Sequence, residues 1–579
     1  MADDLATRLE HHLSRIYPEA DRARLVTALL ERVAAFAGGE ERPRSVGSSD
    51  TWSEADVMLI TYGDSVRRAG EPSLRTLHDF WRRHLADAAP GLHILPFYPY
   101  SSDDGFSVID YRRVRDDLGS WTDIRALAED VTLMVDLVVN HVSVESEWFR
   151  QFLAGESPGR DYFISLPADT DVSTVVRPRR HRVLVPFETE QGTRHVWATF
   201  SHDQVDLDFS NPDVLLEIVD VLFFYLGMGA RWIRLDAVGF VWKELGTPCI
   251  HRPQTHELVR LVRTLAEAMT PGVVLVSETN VPNVENLSYF GNRNEAHAIY
   301  NFSLPPLLID ALIRGRSRYL RAWLMSMPPA PHGCAYFNFT ASHDGIGLRP
   351  AEGLLGEADV ATLVDTLCGF GGRVSQRALA DGSLAPYEVN ITLYDALKGT
   401  VDGEDRHQDA RFLCSQAIML GLEGVPALYI HSLLACGNDL EGVGRTGRAR
   451  SINRHRWDAD RLETLLADPS TPQARILGEL LRLVRIRRRQ PAFHPNATQY
   501  TLQLGERLFG FWRQSPQRDQ SIFAVHNLGR RRCRLPLSSL NLVSTDRWQD
   551  LIGGGAVDDL HGSIRLEPYQ SLWLTNSPR

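Results

Sequence analysis

The chain has 579 residues, and its 62 Lys and Arg against 73 Asp and Glu give a formal net charge of −11 at neutral pH. This length exceeds one ordinary domain, and the acidic balance disfavours nucleic acid or an anionic membrane as the partner. No run of 18 apolar residues is present, so no membrane span is expected. Six cysteines without CxxC pairs or regular spacing disfavour disulfides and zinc and favour a cytoplasmic location.

Residues 1–52 are predicted to form an N-terminal helical extension. Leu5, Leu9, Leu13 and Ile16 recur at helical spacing, and no apolar segment typical of a signal peptide is present. The polar, turn-rich stretch from Gly38 to Asp50 is expected to close this extension.

Eight short apolar runs follow, with helical patterns between most of them. Alternation of strand and helix in this way predicts an α/β fold, a parallel (β/α)8 TIM barrel built from residues 53–142, 208–345 and 409–489. The runs are residues 57–61, 93–97, 133–139, 232–235, 273–276, 298–302, 335–339 and 427–430.

Three further regions are predicted around the barrel. Residues 143–207 follow the third strand as an insert with a few strands, and residues 346–408 follow the seventh as a loop-rich insert. Inserts at these positions lie over the active face of a barrel, so both are candidate walls of a substrate pocket; surface decoration is the alternative. The alternating pattern of residues 490–579 predicts a C-terminal antiparallel β domain with a structural role.

Acidic residues collect at the carboxyl ends of the predicted strands, where barrel enzymes keep their chemistry. Arg234 and Asp236 end the fourth strand on one face, so the guanidinium is expected to hold the carboxylate ionised; a purely structural ion pair is the alternative. Glu278 and Asp344 end the fifth and seventh strands. Retaining cleavage of a glycoside uses one ionised and one protonated carboxyl, which predicts Asp236 as nucleophile, Glu278 as acid and Asp344 as a stabilising charge.

Four segments, DLVVNHVS, WIRLDAVGF, LVSETNVP and FTASHDGIG, resemble the signature regions of the α-amylase superfamily (glycoside hydrolase family 13). Together with SSDDGFSVIDY and the RPR segment they are most similar to its sucrose phosphorylase branch, over most of residues 56–579. The extension, the length and phrases such as SLPPLL and PYEVN are most similar to the glucosylglycerate phosphorylases of that branch.

The resemblance implies the same three catalytic roles. It also implies that six residues bind the glucosyl group, five of them around the sugar ring and Phe200 as an apolar wall. Other superfamily members place the equivalent of Asn140 near calcium, but this branch generally works without a metal, so no metal and no cofactor are expected. The five ring-binding residues are Asp103, His141, Arg234, His343 and Arg450.

The expected partners are an α-glucoside and inorganic phosphate. The enzyme itself is expected to be a monomer or a homodimer. Phosphate needs positive charge, and the first insert offers Arg177, Arg179, Arg180, His181 and Arg182 within six residues. A solvated loop face is the alternative. The resemblance singles out Arg179 as the phosphate ligand, with Tyr387 and Glu388 in an opposing mobile loop.

The leaving group is open at this stage. A glycerate carboxylate requires a cation in the subsite that phosphate later occupies, whereas Glu388 near the acceptor suits neutral hydroxyl groups. The favoured reaction is phosphorolysis of 2-O-α-glucosyl-D-glycerate to α-D-glucose 1-phosphate through a covalent β-glucosyl-Asp236 intermediate. Phosphorylases of sucrose, sucrose 6'-phosphate or glucosylglycerol, a retaining α-glucosidase and a non-catalytic sugar-binding barrel are the alternatives.

Overall fold

The structure is a computed structural model and describes residues 2–18, 21–38, 52–179, 181–378 and 383–579. Eight parallel strands close into a barrel in which each strand pairs with its neighbours in the chain and the last pairs with the first. This arrangement confirms the predicted (β/α)8 barrel. The strands are β1 (Met58–Thr61), β2 (Gly91–Ile94), β3 (Thr132–Val138), β4 (Trp232–Asp236), β5 (Val274–Ser277), β6 (Ala298–Tyr300), β7 (Ala335–Phe339) and β8 (Val425–Tyr429).

The second strand begins two residues earlier than its apolar run. Glycine usually marks a turn in a sequence pattern, but Gly91 opens β2 and pairs with Met58 of β1. A Cβ atom at this position would lie 2.8 Å from the Met58 sulfur, closer than real contacts allow. Any other residue here would displace the Met58 thioether and would place its Cβ atom 3.2 Å from the Val57 carbonyl oxygen, so glycine fits this position best.

Helices cover the outside of the barrel. Pro212 and the side chain of Asn211, which accepts from the Asp213 N–H, begin the helix that precedes β4. This helix is apolar on most of its surface because the barrel covers one side and the N-terminal extension another. The barrel helices are Ser73–His84, Trp121–Asp130, Pro212–Gly227, Pro253–Met269, Leu304–Arg314, Arg318–Ser326, Gln408–Gly421 and Pro472–Arg487.

The N-terminal extension is a pair of helices, α1 (Ala2–Ile16) and α2 (Arg22–Gly38), that packs on the barrel helices before and after β4. The four apolar residues predicted to share one face of α1 are all buried in the main core. His12 lies 2.6 Å from Glu257 and 3.1 Å from Thr264 of the facing helix. The predicted polar closing stretch falls on residues 39–51, which lie outside the described residues.

The first insert carries the helix Glu147–Ala154 and a three-stranded sheet of Ser165–Leu166, Leu184–Thr189 and Gly192–Trp197. The second insert differs from the loop-rich region that its glycines predicted. It contains the helix Glu357–Gly369 and an antiparallel sheet of Ile346–Gly347, Arg373–Ala378 and Leu384–Asn390. Gly371 adopts a φ of +93° in the turn before the sheet, so the glycines mark turns between regular elements.

The C-terminal region is an antiparallel β domain, as predicted. Its six-stranded sheet has its own apolar core, and a two-stranded sheet formed by Cys533–Pro536 and Ser563–Leu566 packs beside it. No helix in the described ranges is long and apolar enough to cross a membrane. In order across the larger sheet, the strands are Thr498–Thr501, Leu508–Gln514, Ser521–Asn527, Ser571–Thr575, Trp548–Asp550 and Ala556–Val557.

Replacing Leu9 by Ala is expected to lower the free energy of unfolding by about 2–5 kcal/mol, because this side chain is fully buried where α1 meets the barrel. Urea denaturation followed by tryptophan fluorescence measures the change. His11→Ala, on the exposed face of the same helix, is the matched control and should stay within about 0.5 kcal/mol of the wild type. Equal stability of the two variants would contradict a packed role for the extension.

Candidate active site

A buried guanidinium organises the carboxyl end of the barrel. Arg234 of β4 donates from Nη1 to Asp236 Oδ1 at 2.6 Å, which confirms that the two side chains share one face. The same Nη1 also donates to Asp136 on the neighbouring strand β3. The rings of Phe106 and Tyr300 flank the guanidinium, with centroids 5.6 and 5.4 Å from its carbon. The side chain is therefore fixed by charge on one side and by aromatic faces on the other.

Asp236 and Glu278 form a coupled pair. Glu278 Oε2 accepts from the N–H of Ala237 at 3.0 Å and lies 3.9 Å from Arg234 Nη2. Ala237 adopts a φ of +53°, a strained conformation that directs this N–H to the carboxylate. Burial raises the pKa of Asp236 well above its ordinary value and also raises the pKa of Glu278. The pair therefore retains a proton where isolated carboxyls have lost theirs.

Arg234, which is expected to keep Asp236 ionised, also contacts a second carboxylate. The guanidinium is shared with Asp136, whose pKa burial would raise but Arg234 and His93 lower below the ordinary value. Asp236 is therefore stabilised in its ionised form less than it would be by an arginine that paired with it alone. Within the pair the negative charge is still most stable on Asp236, because Arg234 contacts it directly and Glu278 only at 3.9 Å.

Arg450 contacts three further acids of the site. Its Nη1 lies 2.6 Å from Asp344 Oδ1 and 3.6 Å from Asp103 Oδ2, and two of its nitrogens donate to Glu388 at 3.0 Å. Burial disfavours charge on Asp344 and Asp103, but Arg450 and Arg454 lower the pKa of both below the ordinary value. Both acids are therefore ionised at neutral pH.

Arg454 was missed at the sequence level. It donates to Asp104 Oδ2 at 2.5 Å, lies 3.4 Å from Asp103 Oδ1 and donates from Nε to the carbonyl of His343 at 3.0 Å. Asp103 and Asp104 both have φ near +50°, so this turn is held in a strained conformation by its arginine partners. The hydrogen bond to Asp104 joins residues 350 positions apart, which no local pattern indicates.

Two buried histidines contact Phe106 from different sides. The ring of His343 stacks on Phe106 at a centroid distance of 4.7 Å, and His141 Nε2 donates to the Phe106 carbonyl at 3.0 Å. Burial lowers the pKa of both imidazoles, of His343 the more, so both are neutral at pH 7. The centroid of the Phe200 ring lies 5.2 Å from that of His141 and 5.3 Å from that of Phe240.

A pocket opens beside Glu278. Arg179 enters this region from the first insert and lies 5.1 Å from the Tyr387 ring centroid. Arg349, from the second insert, lines this pocket and was not predicted; its only sequence signal was its position shortly after Asp344. The pocket thus brings the guanidinium of Arg349 together with the carboxyl expected to act on the leaving group and with Tyr387, which Arg179 contacts. Its wall includes Pro178, Phe200, Phe240, His251, Glu278, Asn280, Arg349 and Tyr387.

The predicted five-residue basic clamp is reduced to one member that contacts the described site. His181 donates to the carbonyl of Ala198 at 2.9 Å, Arg182 is exposed and Arg177 is half-buried. Arg180 lies outside the described residues. The run was identified by composition alone, which does not specify the different surroundings that its described members have.

Tyr387 and Glu388 lie on the strand Leu384–Asn390 and not on the expected loop. Both side chains are buried, and Glu388 is neutralised by its two hydrogen bonds from Arg450. The pattern failed here because Pro386 suggested a turn, although it is accommodated where the register shifts opposite Ser375 and Gln376. Glu388 is therefore part of the sugar-side charge network.

Asn140 contacts an ammonium group. Lys243 Nζ donates to Asn140 Oδ1 at 2.6 Å and to the carbonyl of Phe240 at 2.5 Å, and pairs with Asp206 at 2.6 Å. Within the described ranges, no group of three or more His, Cys, Asp and Glu side chains is arranged to hold a metal. The chain's own lysine thus supplies the positive charge next to Asn140.

Comparisons with known proteins agree with this geometry. The model of the α-amylase catalytic domain matches residues 88–319. Two curated relatives are named glucosylglycerate phosphorylase: one from Spirochaeta thermophila, 44% identical over 90% of both chains, and one from Allomeiothermus silvanus, 42% identical over 99% of both. A crystal structure of sucrose 6F-phosphate phosphorylase from Thermoanaerobacter thermosaccharolyticum superimposes with a TM-score of 0.72 and 28% identity, over 84% of this chain and 96% of the other.

These relatives match the chain over nearly its whole length, and the barrel carries the charged groups of the superfamily's signature segments at its carboxyl end. The chain therefore belongs to the α-amylase family, in the branch that contains the glucosylglycerate and sucrose phosphorylases.

Proposed function

We propose that this enzyme transfers the glucosyl group of 2-O-α-glucosyl-D-glycerate to inorganic phosphate and yields α-D-glucose 1-phosphate and D-glycerate. The observation that carries this proposal is the placement of the Asp236 and Glu278 pair beside a pocket lined by Arg349 and by Tyr387, which Arg179 contacts. The two glucosylglycerate phosphorylases at 42 and 44% identity support the choice of substrate. Six free cysteines support a cytoplasmic setting.

The first step forms a covalent intermediate. Asp236, aimed by Arg234, attacks the anomeric carbon while Glu278 gives its proton to the glycosidic oxygen, and glycerate departs. The positive charge that develops on the sugar is stabilised by Asp344, which Arg450 and Arg454 keep ionised. The products are a β-glucosyl ester of Asp236 and an ionised Glu278.

The second step reverses the roles. An oxygen of phosphate attacks the anomeric carbon, the ester bond to Asp236 breaks, and Glu278 takes up the proton that the attacking group releases. Two inversions give net retention, so the product is the α-anomer. Arg179 is proposed to hold the phosphate, and Asp103, His141, Phe200, Arg234, His343 and Arg450 the glucosyl ring. Tyr387 is proposed to orient Arg179, whereas Glu388 is proposed to hold Arg450 in place.

A second candidate is phosphorolysis of sucrose 6'-phosphate. Arg349 in the pocket and Arg179 beside Tyr387 also suit a phosphorylated leaving group, and the solved structure at 28% identity carries the name of that activity. Both candidates require an anionic leaving group, in contrast to sucrose or glucosylglycerol.

An acceptor panel in the synthetic direction tests the proposal. With α-D-glucose 1-phosphate as donor, phosphate release should be fastest with D-glycerate and much slower with glycerol, fructose or fructose 6-phosphate. Release with D-glycerate no greater than in an acceptor-free control would rule out the proposed substrate. Rapid release of glucose and phosphate in that control would instead favour a hydrolase.

Substitutions of the two carboxyls should have different effects on kcat for a donor whose leaving group needs no proton. Asp236→Asn should lower kcat by about 10⁴-fold with every donor, because it removes the nucleophile. Glu278→Gln should lower kcat for glucosylglycerate by about 10²–10⁴-fold but affect α-glucosyl fluoride far less, since fluoride leaves without a proton. Initial rates on both donors give the comparison, and equal losses by Glu278→Gln on the two donors would contradict its role as acid.

The shared guanidinium predicts a shift in pH dependence. The charge of Asp136 raises the pKa of Asp236, so Asp136→Asn should lower that pKa. Asp236 would then stay ionised to lower pH, and the acid limb of the kcat/KM profile should move to lower pH. Asp116→Asn, which changes an exposed acid paired with Arg113, is the matched control and should leave the limb in place. A limb that does not move in Asp136→Asn would exclude coupling through Arg234.

A further inference from the structure

We propose that Arg349 selects the anionic leaving group by pairing with its carboxylate in the pocket beside Glu278. This inference rests on the proposed function and assigns a residue to the discrimination between glycerate and neutral acceptors. The sequence patterns gave Arg349 no role, and it opens a short 3-10 helix, Arg349–Ala351, in the second insert.

The charge of Arg349 is only partly balanced. Among the described residues, its one ion pair joins Nη2 to Glu285 Oε2 at 3.7 Å, whereas Arg234 and Arg450 contact their acids at 2.6 Å. The side chain is only 12% exposed, so water replaces little of the missing partner. Its Nε atom is buried and has no hydrogen-bond partner among the described residues. A buried donor without a partner costs free energy that a ligand's acceptor atom recovers.

The acid facing Arg349 is itself held by other groups. His251 Nε2 lies 3.1 Å from Glu285 Oε2, and His251 Nδ1 lies 2.7 Å from the Tyr289 hydroxyl. Burial, with His256 and Arg349 nearby, lowers the pKa of His251 to about 4, so the ring is neutral and donates to Glu285. Tyr289, His251 and Glu285 thus form a chain that orients Arg349 and leaves its remaining donors for a ligand.

Position assigns Arg349 to the leaving group and not to the sugar. Arg349 and Glu278 line the same pocket, and Glu278 is the group that protonates the departing oxygen. The acids of the sugar side are paired with Arg450 and Arg454 instead. A carboxylate that is carried close to the departing oxygen, as in glycerate, would therefore lie in the pocket that Arg349 lines.

The pocket is also polar enough for the rest of such a ligand. Asn280 lines it, and its Oδ1 atom is buried without a hydrogen-bond partner among the described residues. A hydroxyl of glycerate can donate to this oxygen while the guanidinium binds the carboxylate through two parallel hydrogen bonds. Glycerol offers the hydroxyls but no carboxylate, so it would leave Arg349 without its partner.

The test compares two acceptors that differ by this one group. With α-D-glucose 1-phosphate as donor, kcat/KM is measured for D-glycerate and for glycerol in the wild type, Arg349→Met and Arg349→Lys. Arg349→Met should lower the glycerate-to-glycerol ratio roughly 10- to 100-fold, mainly through a higher KM for glycerate. Arg349→Lys keeps the charge without the fork and should fall between the two. The KM for α-D-glucose 1-phosphate with glycerol should change little.

Controls separate a loss of selectivity from a loss of structure or of the proposed function. Arg316→Met, at an exposed arginine distant from the site, should leave the ratio unchanged, and thermal melting of all variants confirms folding. An unchanged ratio in Arg349→Met, or equal losses with both acceptors, would overturn the role of Arg349. If the wild type prefers fructose 6-phosphate, the substrate proposal fails. The ratio of fructose 6-phosphate to fructose then tests Arg349 by the same criterion.

Discussion

The buried guanidinium of Arg234 is the interaction on which the rest of the site depends. A charge removed from water is stable only if its partners meet it with good geometry, and two carboxylates do so here. Arg234 pairs with Asp136 in the register of β4 on β3, and it contacts Asp236 two residues along its own strand. The position of the nucleophile is therefore a consequence of barrel register, and a change in that register would leave a charge buried without a partner.

The charged groups of the site differ on the two sides of the glycosidic bond that is to be cleaved. On the sugar side the acids outnumber the arginines, and these arginines are all engaged with carboxylates. A sugar that becomes positively charged in the transition state is stabilised by such an environment. The pocket beside Glu278 instead presents Arg349, and Arg179 contacts Tyr387 of its wall. These cations favour the binding of an anionic leaving group and of phosphate.

Sequence patterns sufficed for the parts of the molecule that depend on local periodicity. Apolar runs located all eight barrel strands, and the acids after them gave Asp236, Glu278 and Asp344. Such patterns could not predict ion pairs between residues that are distant in the sequence and meet only in the fold. Asp136 lies 98 residues from Arg234, and no sequence pattern pairs the two. The strand that carries Glu388 was missed because Pro386 suggested a loop, and this error placed Glu388 near the acceptor when it binds Arg450.

The two kinds of residue also come from different parts of the chain. Strand ends supply the groups that act on the sugar, whereas the inserts supply Arg179, Arg349 and Tyr387 around the leaving group. The pair at Asp236 and Glu278 is therefore held by barrel register, which cannot change without loss of the fold, but the pocket walls are free of that constraint. Relatives named for glucosylglycerate, glucosylglycerol and sucrose share from 27 to 44% identity with this chain. This division of the chain allows the inserts to adapt to a different leaving group while the barrel keeps the same chemical step.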